Sequence, residues 1–403
     1  MTHLKKLFYR IYQRGLYVAT FFLPINEPTI ISGEDSLSQL AKQIKFDKYK
    51  KAMIITQVVL HENGLIDELL LGLKSRGIEY ILFDRTIPNP TIAIIEEAKA
   101  LYVASDCDCL IALGGGSAMD LAKGVGALIA RPKKSLRQMK GLLKVGKTIP
   151  TLYAVPTTSG TGSEATLACV VTDGLTKEKY AINDPVLIPK YAILSPKLTV
   201  GLPKEVTSTT GMDALTHAVE AFIGKSNTRK TKRFAIEAVQ LIFSNLLTAY
   251  NHPDDLIARN NMQLAAYKAG VAFTRAYVGN VHAVAHTLGG MYHVPHGLAN
   301  AVILPHILEY YNSKVDHKLS ILADAVELTP ASASEHEKAK AFIDAIIKMN
   351  EAMSIPANFG DTILDEDIPL MIKRAKAEAN PLYPVPVIMD DKAFLRIYSL
   401  LQD

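Results

Sequence analysis

The stretch LIALGGGSAMDLAKG, residues 110–124, sets the architecture of the N-terminal half of the chain. An apolar run typical of a buried strand leads into Gly114, Gly115 and Gly116, and helical periodicity follows. Glycines let the backbone approach an anion closely, and the free N–H groups at the start of a helix favour phosphate. The pattern predicts a strand, a phosphate-binding turn and a helix with Ser117 as its N-cap. The alternative is a tight turn that binds no ligand.

The flanking sequence repeats this alternation of strand and helix. Strand-like segments at 51–60, 78–84, 151–160 and 190–196 are interspersed with helix-like segments at 64–77, 91–106 and 117–130. Such alternation predicts a parallel sheet covered by helices on both faces. Beyond residue 203 the long segments all have helical periodicity. We therefore expect a helical extension over 1–27, an α/β domain over 28–202 and an all-helical domain over 203–403.

Two further loops contain groups suited to a cofactor. PTTSGTGSE, residues 156–164, follows a predicted strand and offers the hydroxyls of Thr157, Thr158 and Ser159. Two polar loops at strand ends of one sheet suggest a dinucleotide lying across the crevice. Asn89, in PNPT, could hydrogen-bond a cofactor amide, and a plain turn is the alternative there.

Histidines at helical spacing point to a metal site in the C-terminal half. Asp213 and His217 are four residues apart in GMDALTHAVE, and His282 and His286 are four apart in VHAVAHTLGG. His296 follows in VPHG, which we interpret as a bent loop with His293 in a structural role. A lone buried histidine is usually part of the core, but two such pairs and a loop histidine favour a mixed nitrogen and oxygen site for a divalent transition metal.

Bulk composition excludes several classes of partner. Of 403 residues, 49% are hydrophobic and 21% charged, and the net charge of +4 is too small to indicate nucleic acid as the main partner. Three cysteines make no disulfide framework, which favours a reducing compartment, and we expect a cytoplasmic protein without integral membrane association. Leu4, Leu7, Phe8 and Ile11 predict an amphipathic N-terminal helix. We expect it to pack on the domain or on a partner subunit; contact with a membrane surface is the alternative.

In the order and spacing of five motifs, the chain resembles the iron-containing (group III, metal-dependent) alcohol dehydrogenase family. The motifs are GGGSAMDLAK, PTTSGTGSE, GMDALTHAVE, VHAVAHTLGG and VPHGLANAVILP. The resemblance runs from residue 28 to the C-terminal helices. It implies a Rossmann-like domain joined to a helical, dehydroquinate synthase-like metal-binding domain. It also implies NAD(P)-linked oxidation of a small alcohol or reduction of an aldehyde, iron(II) as the metal with zinc possible, and a homodimer or higher homo-oligomer.

The resemblance assigns roles to particular residues. The family's metal ligands correspond to Asp213, His217, His282 and His296, while His286 corresponds to a histidine near metal and substrate that could relay a proton. Its cofactor positions correspond to Asn89, Gly115, Gly116, Ser117, Asp120, Thr157, Thr158, Ser159 and Lys179.

One departure and three alternatives qualify this interpretation. Gln57 stands where many NAD-preferring relatives carry aspartate, and this predicts dual or weak preference between NAD and NADP.

The first alternative function is a glycerol-type polyol dehydrogenase, which differs mainly in its substrate and in preferring zinc. A dehydroquinate synthase-like lyase would need a dense cluster of cations, whereas only Lys268 and Arg275 lie near the metal motifs in sequence. The presence of all four predicted ligands and of both phosphate loops argues against a non-catalytic NAD(P)-binding scaffold.

Overall fold

The computed structural model describes residues 2–176 and 178–402 of the chain. The chain divides into two compact units, Pro24–Gly201 on one hand and Met1–Leu23 with Leu202–Asp403 on the other. The predicted N-terminal helix is present as α1 (His3–Thr20), and it belongs to the same unit as the C-terminal half. Among the described residues, no helix combines the length and the apolar character needed to cross a bilayer.

The unit Pro24–Gly201 is built on parallel strands, as the sequence predicts. Its described residues form the strands β1 (Thr29–Ser32), β2 (Lys51–Ile55), β3 (Glu79–Phe83), β4 (Cys109–Gly114), β5 (Gly141–Leu142), β6 (Leu152–Pro156), β7 (Ala168–Thr172), β8 (Lys179–Asn183) and β9 (Tyr191–Leu194). Six of them make an all-parallel sheet in the order β1-β9-β6-β4-β2-β3. The other three form a small sheet in the order β5-β8-β7, in which β7 and β8 are antiparallel.

Helices cover both faces of the large sheet. They are α2 (Ser36–Phe46), α3 (Val58–Glu62), α4 (Asp67–Lys74), α5 (Ile92–Ala104), α6 (Gly116–Ala130) and α7 (Leu136–Met139). Alternate side chains of β4 enter two different cores: Leu110 and Ala112 pack with α5, α6 and α7, whereas Ile111 and Leu113 pack with α2 and α4. This burial on both faces explains why the strand reads as a continuous apolar run.

Two features of this unit differ from the sequence prediction. The strand predicted over 51–60 ends at Ile55, and α3 begins at Val58 with Gln57 as its N-cap. Val58 and Val59 are exposed, so their β-branched side chains have no sheet to pack on, and the apolar pattern alone did not distinguish strand from helix. The small sheet of β5, β7 and β8 was not predicted at all.

The unit that contains the C-terminal half has helices and no strand among its described residues, which confirms the predicted all-helical domain. Besides α1 it contains α8 (Lys204–Ile223), α9 (Arg229–Asn251), α10 (Leu256–Ala276), α11 (Asn280–Tyr292), α12 (His296–Tyr311), α13 (Asp316–Ala325), α14 (Glu335–Ala352), α15 (Ile368–Ala379) and α16 (Asp391–Gln402), with short 3-10 turns between some of them. Helix α8 lies at the centre, packed against α9, α10 and α12. It is buried over most of its length, so polar groups on it must find partners within the protein.

Candidate functional site

Three helices bring four predicted ligand side chains together. Asp213 and His217 lie on α8, His282 on α11 and His296 at the start of α12, and their potential ligand atoms all lie within 4.8 Å of one another. Asp213 Oδ1 is 4.0 Å from His217 Nδ1, 3.9 Å from His282 Nε2 and 3.5 Å from His296 Nε2. Four ligands about 2.1 Å from one tetrahedral ion would be about 3.4 Å apart. The group is therefore spaced so that a bound cation would need only to draw it slightly together.

Burial of this group explains why it needs a compensating charge. Asp213, His217 and His282 are each at most 5% exposed, and only His296, whose side chain is 41% exposed, faces solvent. His217 is stacked between Phe273 and His282, with ring centroids 4.2 Å and 4.5 Å away. A buried carboxylate is costly unless it is paired or coordinates a metal.

The contacts of Asn300 indicate whether the ligand atoms of this group suit a cation. Its Nδ2 donates to Asp213 Oδ1 at 2.7 Å and also lies 3.2 Å from His282 Nε2 and 3.1 Å from His296 Nε2. An amide has two N–H hydrogens and cannot satisfy three acceptors. The lone pairs of one carboxylate and two imidazoles thus converge on a single electropositive position, and this is the arrangement that a divalent metal takes.

Glu220, which the sequence analysis missed, orients His282. Glu220 Oε2 lies 2.6 Å from His282 Nδ1 and also accepts the Gly279 N–H at 2.8 Å, while Oε1 accepts the Val281 N–H at 2.8 Å. Burial raises the pKa of Glu220 to about 7, against the opposing effect of these donors, and burial holds the pKa of His282 well below its usual value. A neutral His282 that donates from Nδ1 has its Nε2 lone pair directed at the group, as metal-binding histidines commonly do.

His286 lies beside the group without belonging to it. Its ring stacks on His296 with centroids 5.1 Å apart, and its Nδ1 is 2.6 Å from Glu378 Oε1. Tyr383 donates to the same Glu378 oxygen at 2.8 Å. Burial raises the pKa of Glu378, but the charges of His286 and His296 and the hydrogen bonds from His286 and Tyr383 together outweigh it and keep that pKa below its usual value. His286 thus has a carboxylate at its Nδ1 that can accept a proton.

The turn that leads to His296 differs from the predicted loop. His293 is the left-handed C-cap of α11, with φ 56°, and His296 is the first residue of α12 after the N-cap Pro295. The next residue, Gly297, lies so close to α8 that a Cβ there would be 2.3 Å from the Thr209 carbonyl oxygen. A helix start in tight contact with α8, instead of a flexible loop, positions His296.

The glycine-rich turn forms as predicted, but Ser117 is not its N-cap. Helix α6 begins at Gly116, and Gly115 is the N-cap, with an extended backbone (φ −76°, ψ −170°) and no side chain to bond the helix. The Ser117 hydroxyl instead accepts the Asn89 N–H at 3.4 Å. This placement leaves the start of α6 without a side-chain cap, which suits an anion.

The structure groups most of the predicted cofactor residues. Asn89 Oδ1 accepts from Lys179 Nζ at 2.6 Å, which joins these two residues to Ser117. Because β4 and β6 are neighbours, their following loops meet: the Thr157 N–H donates to the Gly114 carbonyl at 3.1 Å, and a Cβ on Gly115 would lie 3.8 Å from Thr158. A Cβ on Gly116 would likewise lie beside Thr161 of the second loop.

Ser159 and Asp120 lie apart from these contacts. Ser159 belongs to the second loop and is 7% exposed. Asp120 lies within α6, where burial raises its pKa to about 6, and its carbonyl accepts the Cys169 thiol at 3.1 Å. We find no contact that assigns either residue to a cofactor.

Lys123 holds the second polar loop and was also missed. It is fully buried on α6, and its ammonium donates to the carbonyls of Ser163, Thr166 and Ala168 at 2.8 to 2.9 Å. Burial lowers its pKa to about 8. A lysine inside the apolar helix 117–130 was a visible signal for such a role, since buried lysines need partners.

Gln57 lies at the carboxyl end of β2, beside the glycine-rich turn. A Cβ on Gly114 would be 3.8 Å from Gln57 Oε1. Gln57 pairs through an isolated bridge with Arg85, whose guanidinium contacts Glu97 at 2.6 Å. The local sequence around Gln57 supplies no cation, but the end of the neighbouring strand β3 does.

Comparisons with known proteins agree with this architecture. Residues 27–196 match the family described as iron-containing alcohol dehydrogenase, and residues 207–400 match its C-terminal domain. The chain is 33% identical to the NAD-dependent methanol dehydrogenase of Bacillus methanolicus (89% of this chain, 93% of that protein) and 36% identical to the 1,3-propanediol dehydrogenase of Citrobacter freundii (86% and 90%). A crystal structure of a 1,3-propanediol oxidoreductase superposes with a TM-score of 0.90 at 34% identity, covering 94% of this chain and 99% of the other.

These matches show that the chain is a metal-dependent oxidoreductase that acts on alcohols and aldehydes. Within that class it belongs to the iron-containing alcohol dehydrogenase family, whose cofactors are iron and NAD. The predicted family, reaction class and cofactors are thereby confirmed.

Proposed function

We propose that the chain interconverts a short primary alcohol and its aldehyde, with Asp213, His217, His282 and His296 as the ligands of one iron(II). The observation that carries this proposal is the convergence of four ligand atoms within 4.8 Å in a buried position. The relatives named for methanol and 1,3-propanediol support a small, unbranched substrate. Zinc is compatible with the same ligands, because metal choice depends on availability as well as geometry.

The bound metal would supply a Lewis acid for the substrate oxygen, and the nicotinamide would take or give the hydride. The protein's own contribution lies in positions and protons. Glu220 fixes the tautomer of His282, and the exposed edge of His296 leaves the group open to solvent on one side. His286 would receive the alcohol proton and pass it outward, with Glu378 as its hydrogen-bond partner and Tyr383 donating to that same carboxylate.

Metal analysis and a substrate panel test the proposal together. Protein purified without oxygen should contain about one iron per chain and oxidise small alcohols with NAD. Turnover confined to glycerol with bound zinc would favour the polyol dehydrogenase. Protein without metal or turnover would favour the non-catalytic scaffold, and NAD-dependent elimination without net oxidation would favour the lyase. The cytoplasmic location and the homodimer stay predictions, to be measured by fractionation and sedimentation.

His286→Ala should keep the metal and lower kcat. His286 is not in the ligand group, so removing its ring leaves four ligands, but the proton loses its relay, whose contribution is typically ~10²–10⁴-fold. The measurement is iron content with kcat against pH. His252→Ala, which alters an exposed histidine at the end of α9, is the control and should match the parent. Loss of iron in the His286 variant would identify it as a ligand.

Gln57→Asp should reduce kcat/KM for NADP(H) at least roughly tenfold relative to NAD(H), equivalent to ~1.4 kcal/mol. An aspartate at the end of β2 would repel a ribose 2′-phosphate, whereas glutamine does not. Arg85, opposite Gln57, adds a cation that could attract this phosphate. Gln57→Asn shortens the side chain without adding charge and should leave the ratio near that of the parent. An unchanged ratio in the aspartate variant would show that position 57 does not adjoin the ribose.

A further inference from the structure

Helix α1 is held to the protein by the polar side chains of Arg10 and Gln13 and by Tyr9. Gln13 Nε2 donates to the Tyr383 carbonyl at 2.7 Å, and the Arg10 guanidinium donates to the carbonyls of Val385 and Pro386 at 2.7 and 2.9 Å. Tyr9 packs on Val385 and Ile388. These contacts hold the helix without using Leu4, Leu7, Phe8 or Ile11, which are exposed.

The opposite face carries those apolar side chains into solvent. They occupy an arc of roughly 100° at 3.6 residues per turn. This apolar stripe consists of Leu4, Leu7, Phe8, Ile11 and Val18 of α1 together with Phe22 just beyond its C-terminal end, all between 48% and 84% exposed. A helix fixed to a folded protein normally turns such a face inward, so this arrangement indicates that something else covers it.

Charge indicates what covers the stripe. Residues 1–26 contain Lys5, Lys6, Arg10 and Arg14 and no aspartate or glutamate, so this segment alone accounts for the net charge of +4. Lys5, Lys6 and Arg14 are all exposed. At about 100° per residue, Arg14 lies next to the stripe and Lys5 about 60° from its edge, whereas Lys6 lies on the other side of the helix. A contact between the stripes of two copies would bring together two segments that each contain four cations and no acidic residue, which is unfavourable. The family match begins at residue 27, so α1 lies outside the matched residues.

We propose that α1 docks the enzyme on an anionic phospholipid bilayer, lying in the plane of the headgroups with its apolar stripe inserted. A basic helix with an outward apolar face binds such surfaces through buried apolar area and attraction to anionic lipid. The polar anchors on Tyr383, Val385 and Pro386 would keep the rest of the protein outside the bilayer. The inference is independent of the substrate and of the metal.

Vesicle cosedimentation of the full-length holoenzyme tests this proposal. The parent should sediment with vesicles of mixed phosphatidylglycerol and phosphatidylcholine, and much less with phosphatidylcholine alone or in about 0.5 M NaCl, where the Debye length is about 4 Å. Leu7→Glu/Ile11→Glu should lower the partition coefficient at least roughly tenfold while turnover in solution is unchanged. Lys5→Gln/Arg14→Gln should weaken binding and reduce its salt dependence.

The control places two glutamates on equally exposed apolar positions elsewhere. Val103 and Ile257 are helical and 54% and 75% exposed, against 51% and 63% for Leu7 and Ile11. Val103→Glu/Ile257→Glu should bind vesicles like the parent. A parent that stays in the supernatant, or a control that loses binding equally, would overturn the proposal. A change of oligomeric mass in the Leu7/Ile11 variant, without vesicle binding by the parent, would assign the stripe to a contact between copies.

Discussion

Alanine at position 282 is expected to remove most of the bound iron and nearly all turnover. His282 is buried, its Nε2 lies 3.9 Å from Asp213 Oδ1, and its ring stacks on His217. Removing a hydrogen-bond partner of a metal ligand costs about 10–100-fold in metal affinity, and removing the ligand itself should cost more. The variant also removes the imidazole partner of the buried Glu220, whose Oε2 then keeps only the hydrogen bond from the Gly279 N–H.

Iron content by elemental analysis and kcat with a saturating alcohol measure this effect. His286→Ala is the matched comparison, since it removes the same side chain one turn further along α11 and should retain iron. Full occupancy and normal turnover in the His282 variant would rule out the proposed ligand set. Circular dichroism of both variants separates loss of metal from loss of fold.

Glutamine at position 220 should weaken iron binding by about 10–100-fold with all four ligands still present. The carboxylate accepts from His282 Nδ1, the Gly279 N–H and the Val281 N–H, whereas an amide offers only one acceptor oxygen. At least one donor then faces an N–H group, so we also expect the free energy of unfolding to fall by about 1–3 kcal/mol.

Chelator competition measures this affinity, and denaturant unfolding of the metal-free protein measures the stability. Glu378→Gln makes the same change beside the other histidine of α11, and it should alter kcat while iron affinity stays at the parental value. If Glu220→Gln binds iron like the parent, the carboxylate is not needed to orient His282.

Helical periodicity in the sequence was enough to select most of the residues that the structure brings together as candidate metal ligands. Spacings of four residues placed Asp213 beside His217 and predicted a helix for His282, and the structure brings these residues together. Glu220 was within reach as well, because it is an acidic residue in the otherwise apolar segment 218–223. Its partners, however, come from the start of α11, and only the packing of two helices reveals that contact.

Local sequence patterns were less informative about features that the path of the backbone determines, such as the N-cap of α6 and the short strand β5. Ser117 has a common N-cap side chain, yet Gly115 takes that position because the chain turns sharply out of β4. Strand β5 has two residues and so carries no periodicity to detect. The exposed stripe of α1 was visible as an amphipathic pattern, but the direction in which it faces depends on the carbonyls of 383–386.

The contact between Gly297 and α8 limits which sequences can keep this site. Any other residue would place its Cβ 2.3 Å from the carbonyl oxygen of Thr209. Because that obstacle is backbone, no side-chain replacement at position 209 can remove it. In a saturation library we therefore expect position 297 to return glycine alone, and second-site suppressors to be rare. Variants there would lose function with every metal-binding side chain intact, because α12 and His296 are displaced from α8.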